Sequence, residues 1–264
     1  IDLNQFSHNR EIGYRSAVDE LLNLIDQFVE QEELTRLFNH FYLTYDLPIE
    51  TTQKKFKRFI ATSYMYKKSS FNNKLSLKSI PKSMLAYGAL FYACFFTKKN
   101  KKINQYQLII DDLWSPVELS RLEKLLNLFG KENVLCIARS KEVKEQFSEY
   151  DIYPKKFFRD FNKIDLLKSL YKEIFSGVWL VLIASLKTRV NLFGISLQVI
   201  HNYLAYKALF DTNKAEYLIQ PWHYDTNPIK NYLFIQSGGI STATIQKNIV
   251  EADLMFAYID IDIH

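Results

Sequence analysis

The chain has 264 residues, of which 48% are apolar, so it can bury a core as one large domain or two small ones, and disorder over most of its length is excluded. Seven glycines and six prolines are few for this length, which argues for long helices and against an all-β sandwich. A net charge of +5 is modest for a protein dedicated to nucleic acid.

The two cysteines, Cys94 and Cys136, both lie in apolar runs. We predict that they are small buried hydrophobic residues in a reducing compartment, without a disulfide framework or a zinc site. No secretory signal is visible near the start of the chain, which predicts a cytoplasmic location. Because there is no initiator methionine, we interpret the chain as a fragment or a trimmed piece of a longer protein.

The segment from Arg10 to Phe41 has apolar residues at roughly helical spacing. This spacing predicts one or two amphipathic helices, and the acidic residues between the apolar positions suit a solvated face. We attach no chemistry to these acidic residues.

The following segment, from Thr51 to Ile110, contains no Asp or Glu but many lysines and interleaved aromatic residues. Unpaired positive charge of this kind suits phospholipid headgroups or nucleic acid, and a solvated basic helix face is an equally good interpretation. Within it, Met84 to Phe96 is shorter than the ~20 residues needed to cross a bilayer. That run is either a core helix or a helix in the headgroup region whose flanking lysines reach the water.

Short apolar runs alternate with longer amphipathic ones after residue 102, which predicts a Rossmann-like parallel sheet flanked by helices. We therefore divide the chain into a helical, basic N-terminal region, 1–102, and an α/β domain, 103–264. The predicted strands are Tyr106–Ile110, Asn133–Ala138, Ala215–Gln220 and Ile240–Ile245.

Between the second and third of these strands the pattern is mostly helical. A short helix is predicted at Lys141–Phe147, and an irregular connection at Asp151–Phe161. Two helices are predicted within Asp165–Phe210, the second from about Leu192. The run Phe175–Ile183 is strongly apolar, but charged residues soon after it interrupt what would otherwise approach a membrane span.

A helix is also predicted between the third and fourth strands. Thr226 or Asp225 is its predicted N-cap, and Gly238-Gly239 supplies the left-handed residue that ends it. Its apolar positions, which we expect to face the sheet, are Ile229, Tyr232, Leu233 and Phe234.

Polar and aromatic residues follow three of the predicted strands, at the edge where open α/β sheets place ligands. Paired acids after a strand suggest a metal or phosphotransfer site, but supporting motifs and a glycine-rich phosphate loop are missing. In the simpler interpretation, one of the two acids caps a helix and the other is solvated. We therefore predict no metal site. The predicted substrate-binding residues are Asp111, Asp112, Trp114, Trp222, Tyr224, Asn227, Gln246, Lys247 and Asn248.

The pattern from Phe210 to Asn248 is a helix, a strand ending in a polar loop, a helix finishing in Gly-Gly-Ile, and a strand ending in Thr-Ile-Gln. It resembles the end of the amino-terminal half of GT-B-type glycosyltransferases that build bacterial surface polysaccharides. In many members the last strand leads into a Gln-His-Gly type loop lining the cleft between the two halves. The corresponding loop here is Gln246-Lys247-Asn248, of which Gln246 matches.

The resemblance implies the acceptor-side half of an enzyme that moves a sugar from a nucleotide-activated donor to a glycan or lipid-linked acceptor. The nucleotide sugar is then a substrate, and no cofactor is implied. The donor-binding half is expected to follow His264. Enzymes with lipid-linked acceptors work at the cytoplasmic face of the membrane, and the basic segment 54–102 suits a peripheral position there.

Sugar transfer with inversion needs a general base for the acceptor hydroxyl and donors that steady the leaving phosphates. His223 and Asp225 are the candidates for the base, since they share one loop and histidine titrates nearest neutrality. A structural hydrogen bond is the alternative for His223. Lys247, with its neighbours, is the candidate for contacts to phosphate or sugar hydroxyls.

Two other classes of function remain open. A nucleic-acid-associated protein would use the basic segment, although no helix-turn-helix, zinc-finger or RNA-binding aromatic signature accompanies it. A noncatalytic interaction module would use the sheet only as a scaffold.

Overall fold

The computed structural model describes residues 15–65, 81, 85–89, 92, 103–113, 122–138, 141–146, 150–154, 163–220 and 227–244. They fall into two compact units. The helical unit comprises the described residues of 15–92 and of 163–203, and the sheet unit comprises those of 103–154, 204–220 and 227–244. The sequence division had placed 163–203 in the α/β domain; in the structure these helices belong to the helical unit.

The helical unit begins with α1 (Arg15–Val29), α2 (Glu32–Tyr45) and α3 (Ile49–Met65). The first two confirm the predicted amphipathic helices, and their apolar faces are buried. Phe38 of α2 meets Phe56 of α3 edge to face, with ring centroids 4.9 Å apart. The apolar stripes of the three helices therefore form a shared core, as the helical spacing requires.

Part of the basic segment is balanced by acids in the helical unit. Lys57 of α3 pairs with Asp26 at 2.9 Å, and Lys54 pairs with Glu50 at 3.3 Å. The sequence interpretation of wholly unpaired charge is therefore wrong for these two lysines, because their partners come from outside the acid-free segment. Most of the predicted helix Met84–Phe96 lies outside the described residues, although 85–89 are helical.

The helical unit continues with α6 (Lys163–Lys172), a π-helix (Glu173–Gly177) and α7 (Val178–Thr188), which form one uninterrupted helical run. Arg189, with a left-handed φ of 58°, ends that run. The next helix, α8 (Phe193–Thr212), starts close to the predicted position, and the boundary between the two units falls within it. The two predicted helices are thereby confirmed.

The sheet unit contains a five-stranded parallel sheet with the order β4-β3-β2-β6-β7. Four of its strands confirm the predicted ones. The fifth, β4, forms inside the stretch predicted to be irregular, because pairing with the edge of β3 organises a segment too short to signal a strand by itself. The strands are β2 (Leu108–Leu113), β3 (Val134–Ala138), β4 (Asp151–Pro154), β6 (Tyr217–Gln220) and β7 (Ser241–Thr244).

A second, two-stranded parallel pair joins β1 (Asn104–Gln105) to β5 (Asn213–Lys214). The remaining described helices of this unit are α4 (Glu123–Phe129), α5 (Lys141–Gln146) and α9 (Pro228–Gln236). These elements establish an α/β fold with a Rossmann-like arrangement of parallel strands.

One face of the sheet packs against α4 and α5. Leu108 and Ile110 of β2, Cys136 of β3, Leu126 of α4 and Val143 of α5 are buried together there. Burial raises the pKa of the Cys136 thiol to about 12. Cys136 is thus the buried apolar residue that the sequence predicted, and Cys94 lies outside the described residues.

Gly238 ends α9 with a φ of 102°, as predicted from the Gly-Gly pair. An L side chain is strained there, so we expect Gly238→Ala to lower the free energy of unfolding by about 1–2 kcal/mol. Gly194→Ala is the matched control, since Gly194 lies in α8 with open space around it and alanine favours a helix by about 1 kcal/mol. The free energies of unfolding are measured by urea denaturation. A change in the same direction in both variants would contradict the assignment of a left-handed conformation to Gly238.

Candidate functional site

The candidate site lies at the point where the order of the sheet reverses. Along the chain, β2, β3 and β4 are added in one direction, and β6 and β7 are then added on the other side of β2. Parallel sheets bind ligands outside the carboxyl ends of their strands at such a switch point. The relevant carboxyl ends are those of β2 and β6, which are paired neighbours.

A β-bulge distorts β2 at this edge. Ile110 pairs with Cys136 and Leu113 with Ala138, so three steps along β2 match two along β3. The extra residue belongs to Asp111-Asp112, the two acids that the sequence placed in the site. Bulges redirect side chains, and here Leu113 returns to the core of Leu108 and Ile110 while Asp111 pairs with α9 on the other face.

Asp111 and Lys230 form a buried ion pair at the switch point. Lys230 Nζ donates to Asp111 Oδ2 at 2.6 Å, and the two side chains are 2% and 1% exposed, lysine first. The same ammonium lies 5.5 Å from the centroid of the Tyr206 ring, which adds a cation–π contact. Neither charge is solvated, so each depends on the other. The interpretation of Asp111 as a solvated or helix-capping acid is wrong, because strand alternation places Asp111 on the face opposite Leu108 and Ile110, where Lys230 pairs with it.

A second buried bond lies beside this pair. Gln220 follows Ile219, the last β6 residue paired with β2, and its Nε2 donates to Asn231 Oδ1 at 2.9 Å. Lys230 and Asn231 are consecutive in α9. The first turn of α9 is therefore attached through one residue to β2 and through the next to β6.

Asn227 caps α9. Its Oδ1 accepts a hydrogen bond from the Ile229 N–H at 3.2 Å, and Pro228 occupies the first helical position. The predicted caps, Thr226 and Asp225, are corrected to Asn227, since proline at the first position fixes the preceding residue as the cap. Asn227 is buried and its side-chain oxygen is engaged in the cap. Its substrate-binding role stays a prediction.

Most of the sequence-predicted site residues lie outside the described residues. Asp112 belongs to β2 by its backbone, and nothing is described of its side chain. The segment 221–226 lies between Gln220, which bonds Asn231, and Asn227, which caps the helix that Lys230 and Asn231 attach to β2 and β6. The predicted site residues that lie outside the described ranges are Trp114, Trp222, His223, Tyr224, Asp225, Gln246, Lys247 and Asn248.

Sequence reasoning missed Lys230, Gln220 and Asn231. Ile229, Leu233 and Phe234 of α9 are buried, as expected of predicted inward-facing positions, and Tyr232 is half-buried. One feature of the sequence could have pointed to Lys230. It directly follows Ile229, one of the apolar positions predicted to face inward. A lysine on that face needs a buried countercharge, and the acids after β2 were the candidates.

The helical unit contains a second buried polar cluster, on the π-helix. Glu173 is fully buried, and its Oε2 lies 2.8 Å from His40 Nε2 and accepts a hydrogen bond from Tyr45 at 3.1 Å. Burial, with the Glu173 carboxylate nearby, raises the pKa of Tyr45 well above its usual value. A Cβ at Gly177 would overlap the Glu173 carboxylate, so glycine leaves the space that this acid occupies.

Ser176 lies beside this cluster, with its Oγ 3.4 Å from His40 Nδ1. The hydroxyl donates to the Lys172 carbonyl at 2.7 Å, which occupies its proton and leaves no activated nucleophile. We interpret the cluster as a buried network that attaches the π-helix to α2 through Glu173 Oε2, while Glu173 Oε1 has no hydrogen-bond partner among the described residues. Within the described part of the chain, no group of three or more His, Cys, Asp or Glu could hold a metal ion.

Comparison with known proteins supplies no relative. The chain matches no protein-family model, no curated protein and no solved structure.

Proposed function

We propose that this protein transfers a sugar from a nucleotide-activated donor to a glycan or lipid-linked acceptor, with the acceptor bound at the switch point of the sheet. The observation that carries the proposal is the anchoring of the loop 221–226. One end follows Gln220 at the carboxyl end of β6, and the other precedes Asn227, the cap of the helix whose first turn is bonded to β2 and β6. Loops at this position hold ligands in parallel α/β sheets.

The loop provides the chemistry that transfer requires. His223 or Asp225 takes the proton of the acceptor hydroxyl as its oxygen bonds to the anomeric carbon of the sugar, and the bond from that carbon to the donor phosphate breaks. Lys247 steadies the negative charge that collects on the departing nucleotide. Attachment of the residues that flank the loop suits this role, since a general base must stay within hydrogen-bond reach of the hydroxyl.

The buried pair Asp111–Lys230 attaches α9 to β2 and takes no part in the chemistry. Both side chains are almost completely buried, so neither is available to a ligand. Asp111 is then a positioning residue, which revises its predicted role as a substrate ligand within this proposal.

Transfer is tested with the full-length gene product and a panel of UDP-, GDP-, dTDP- and CMP-sugars carrying a radiolabelled sugar. A lipid extract of the native membrane serves as the acceptor source. We expect one donor class to yield labelled lipid or glycan, with release of its nucleotide. Absence of labelled product with every donor, from protein shown to be folded by circular dichroism, would leave the noncatalytic interaction module as the better interpretation.

A further inference from the structure

An exposed row of large apolar residues runs along the continuous helix from α6 through the π-helix to α7. The residues are between 45% and 64% exposed, and successive members are one to four positions apart, so they share one side of the helix. We call this row the apolar stripe. Its members are Tyr171, Ile174, Phe175, Trp179, Ile183 and Leu186.

The π-helix lies within the apolar stripe. Glu173 and Gly177 are buried, and the three residues between them, 174–176, are all exposed. Leu43 of α2, 72% exposed, extends the apolar surface, because its carbonyl accepts a hydrogen bond from Lys172 Nζ at 3.5 Å. Six large apolar side chains exposed on one helix, with Leu43 nearby, indicate an interaction site.

The exposed charges on the part of the helix that bears the apolar stripe are all positive. In Lys168–Arg189 the single acid is Glu173, which is buried against His40. The basic residues are exposed, and one of them, Lys187, also pairs with Glu33 at 2.8 Å. They are Lys168, Lys172, Lys187 and Arg189. Cations at both ends of a row that includes tyrosine, phenylalanine and tryptophan match the headgroup region of an anionic bilayer.

Within the described residues, one helix, Lys168–Thr188, is long and apolar enough to cross a membrane by length and composition. Its inner side is occupied by protein, however. Glu173 is held there by His40 and Tyr45 of α2, whose own exposed side includes the ion pair of Arg36 with Glu32. A helix fixed to such a partner fits along a membrane surface and not across it.

We propose that the apolar stripe docks in the plane of an anionic phospholipid bilayer, with its aromatic and aliphatic side chains at the level of the acyl boundary and its basic residues among the headgroups. The residues of this site belong neither to the basic segment 54–102 nor to the switch point. The proposal does not rest on sugar transfer, since it follows from the exposure and charge of the helix alone.

Vesicle sedimentation tests the proposal with the full-length gene product. We expect binding to vesicles of phosphatidylcholine with phosphatidylglycerol, and much weaker binding to phosphatidylcholine alone, because each nearby cation strengthens binding to an anionic surface by about fivefold. Added salt is expected to weaken binding without abolishing it, since the apolar contacts do not depend on screening. Equal binding to both lipids, or binding to neither, would overturn the proposal.

The position of Trp179 gives a direct readout. These 264 residues include three tryptophans, so Trp114→Phe with Trp222→Phe, together with replacement of any tryptophan elsewhere in the full-length gene product, leaves Trp179 as the single tryptophan. We expect a blue shift of its emission on vesicle binding, together with quenching by brominated lipid. Vesicle binding with unchanged Trp179 emission would assign the contact to another surface, such as the basic segment, and would overturn the proposal.

Paired substitutions complete the test. Phe175→Ser with Trp179→Ser removes two residues that are 64% and 60% exposed, and we expect vesicle affinity to fall by about tenfold or more. Leu128→Ser with Ile240→Ser removes two residues of the sheet unit that are 81% and 64% exposed, and this control is expected to bind as the parent does. Equal losses in both variants, or a stable dimer in which Trp179 is shielded without lipid, would overturn the proposal.

Discussion

Replacing His223 with alanine is expected to lower the turnover number for sugar transfer by about 10²- to 10⁴-fold, because the acceptor hydroxyl then lacks its general base. Asp225→Ala is expected to lower the turnover number by a similar factor if Asp225 orients His223 or itself accepts the proton. Turnover is measured at saturating donor and acceptor in the full-length gene product. Retained α-helical circular dichroism distinguishes lost chemistry from lost structure.

Two comparisons sharpen this test. Lys247→Ala is expected to raise KM for the donor more than it lowers turnover, since its role is charge complementarity toward phosphate. Lys207→Ala serves as the matched control, because Lys207 is an exposed lysine of α8 paired with Asp211 at 3.2 Å. Full activity in both the His223 and the Asp225 variants would remove the loop from the mechanism.

Lys230→Met is expected to lower the free energy of unfolding of the sheet unit by about 3–5 kcal/mol, because it leaves the Asp111 carboxylate buried without its ammonium partner. Hydrogen exchange of the β2 and β6 amides is the measurement, since these strands flank the pair. Lys207→Met is the control and is expected to cost no more than about 0.5 kcal/mol, as is usual for an exposed pair four residues apart in a helix.

The double variant Asp111→Leu with Lys230→Met separates charge from packing. Apolar residues of similar volume often replace a buried ion pair with little loss, so we expect this variant to be more stable than Lys230→Met alone. A double variant as unstable as the single one would show that the pair contributes mainly through its shape. A single variant within about 1 kcal/mol of the parent would contradict the assignment of a buried, mutually dependent pair.

Local pattern was enough to predict several elements of the fold. The paired helices of residues 15–45 follow from apolar spacing, and the left-handed end of α9 follows from Gly238. Four buried strands were visible as short apolar runs, and their parallel pairing followed from the helices between them. These features depend on residues that are close together in the chain, and such local patterns can be recognised in a single sequence.

The tertiary structure decided what depends on distant partners. β4 exists because β3 offers it an edge, and helices 163–203 join the helical unit because their inner face meets α2. Glu173 and His40 are 133 positions apart, and Asp111 and Lys230 are 119 apart, so no local pattern relates the members of either pair.

By itself, the sequence determined the α/β class, the order of the strands along the chain and the acids at the end of β2. Only the tertiary structure decided that the sheet reverses between β2 and β6, that a bulge returns Leu113 to the core, and that Lys230 meets Asp111 on the other face. The physical reason is that helical and strand periodicities are encoded by adjacent residues. The burial of a charge, in contrast, is decided by which remote side chain can neutralise it.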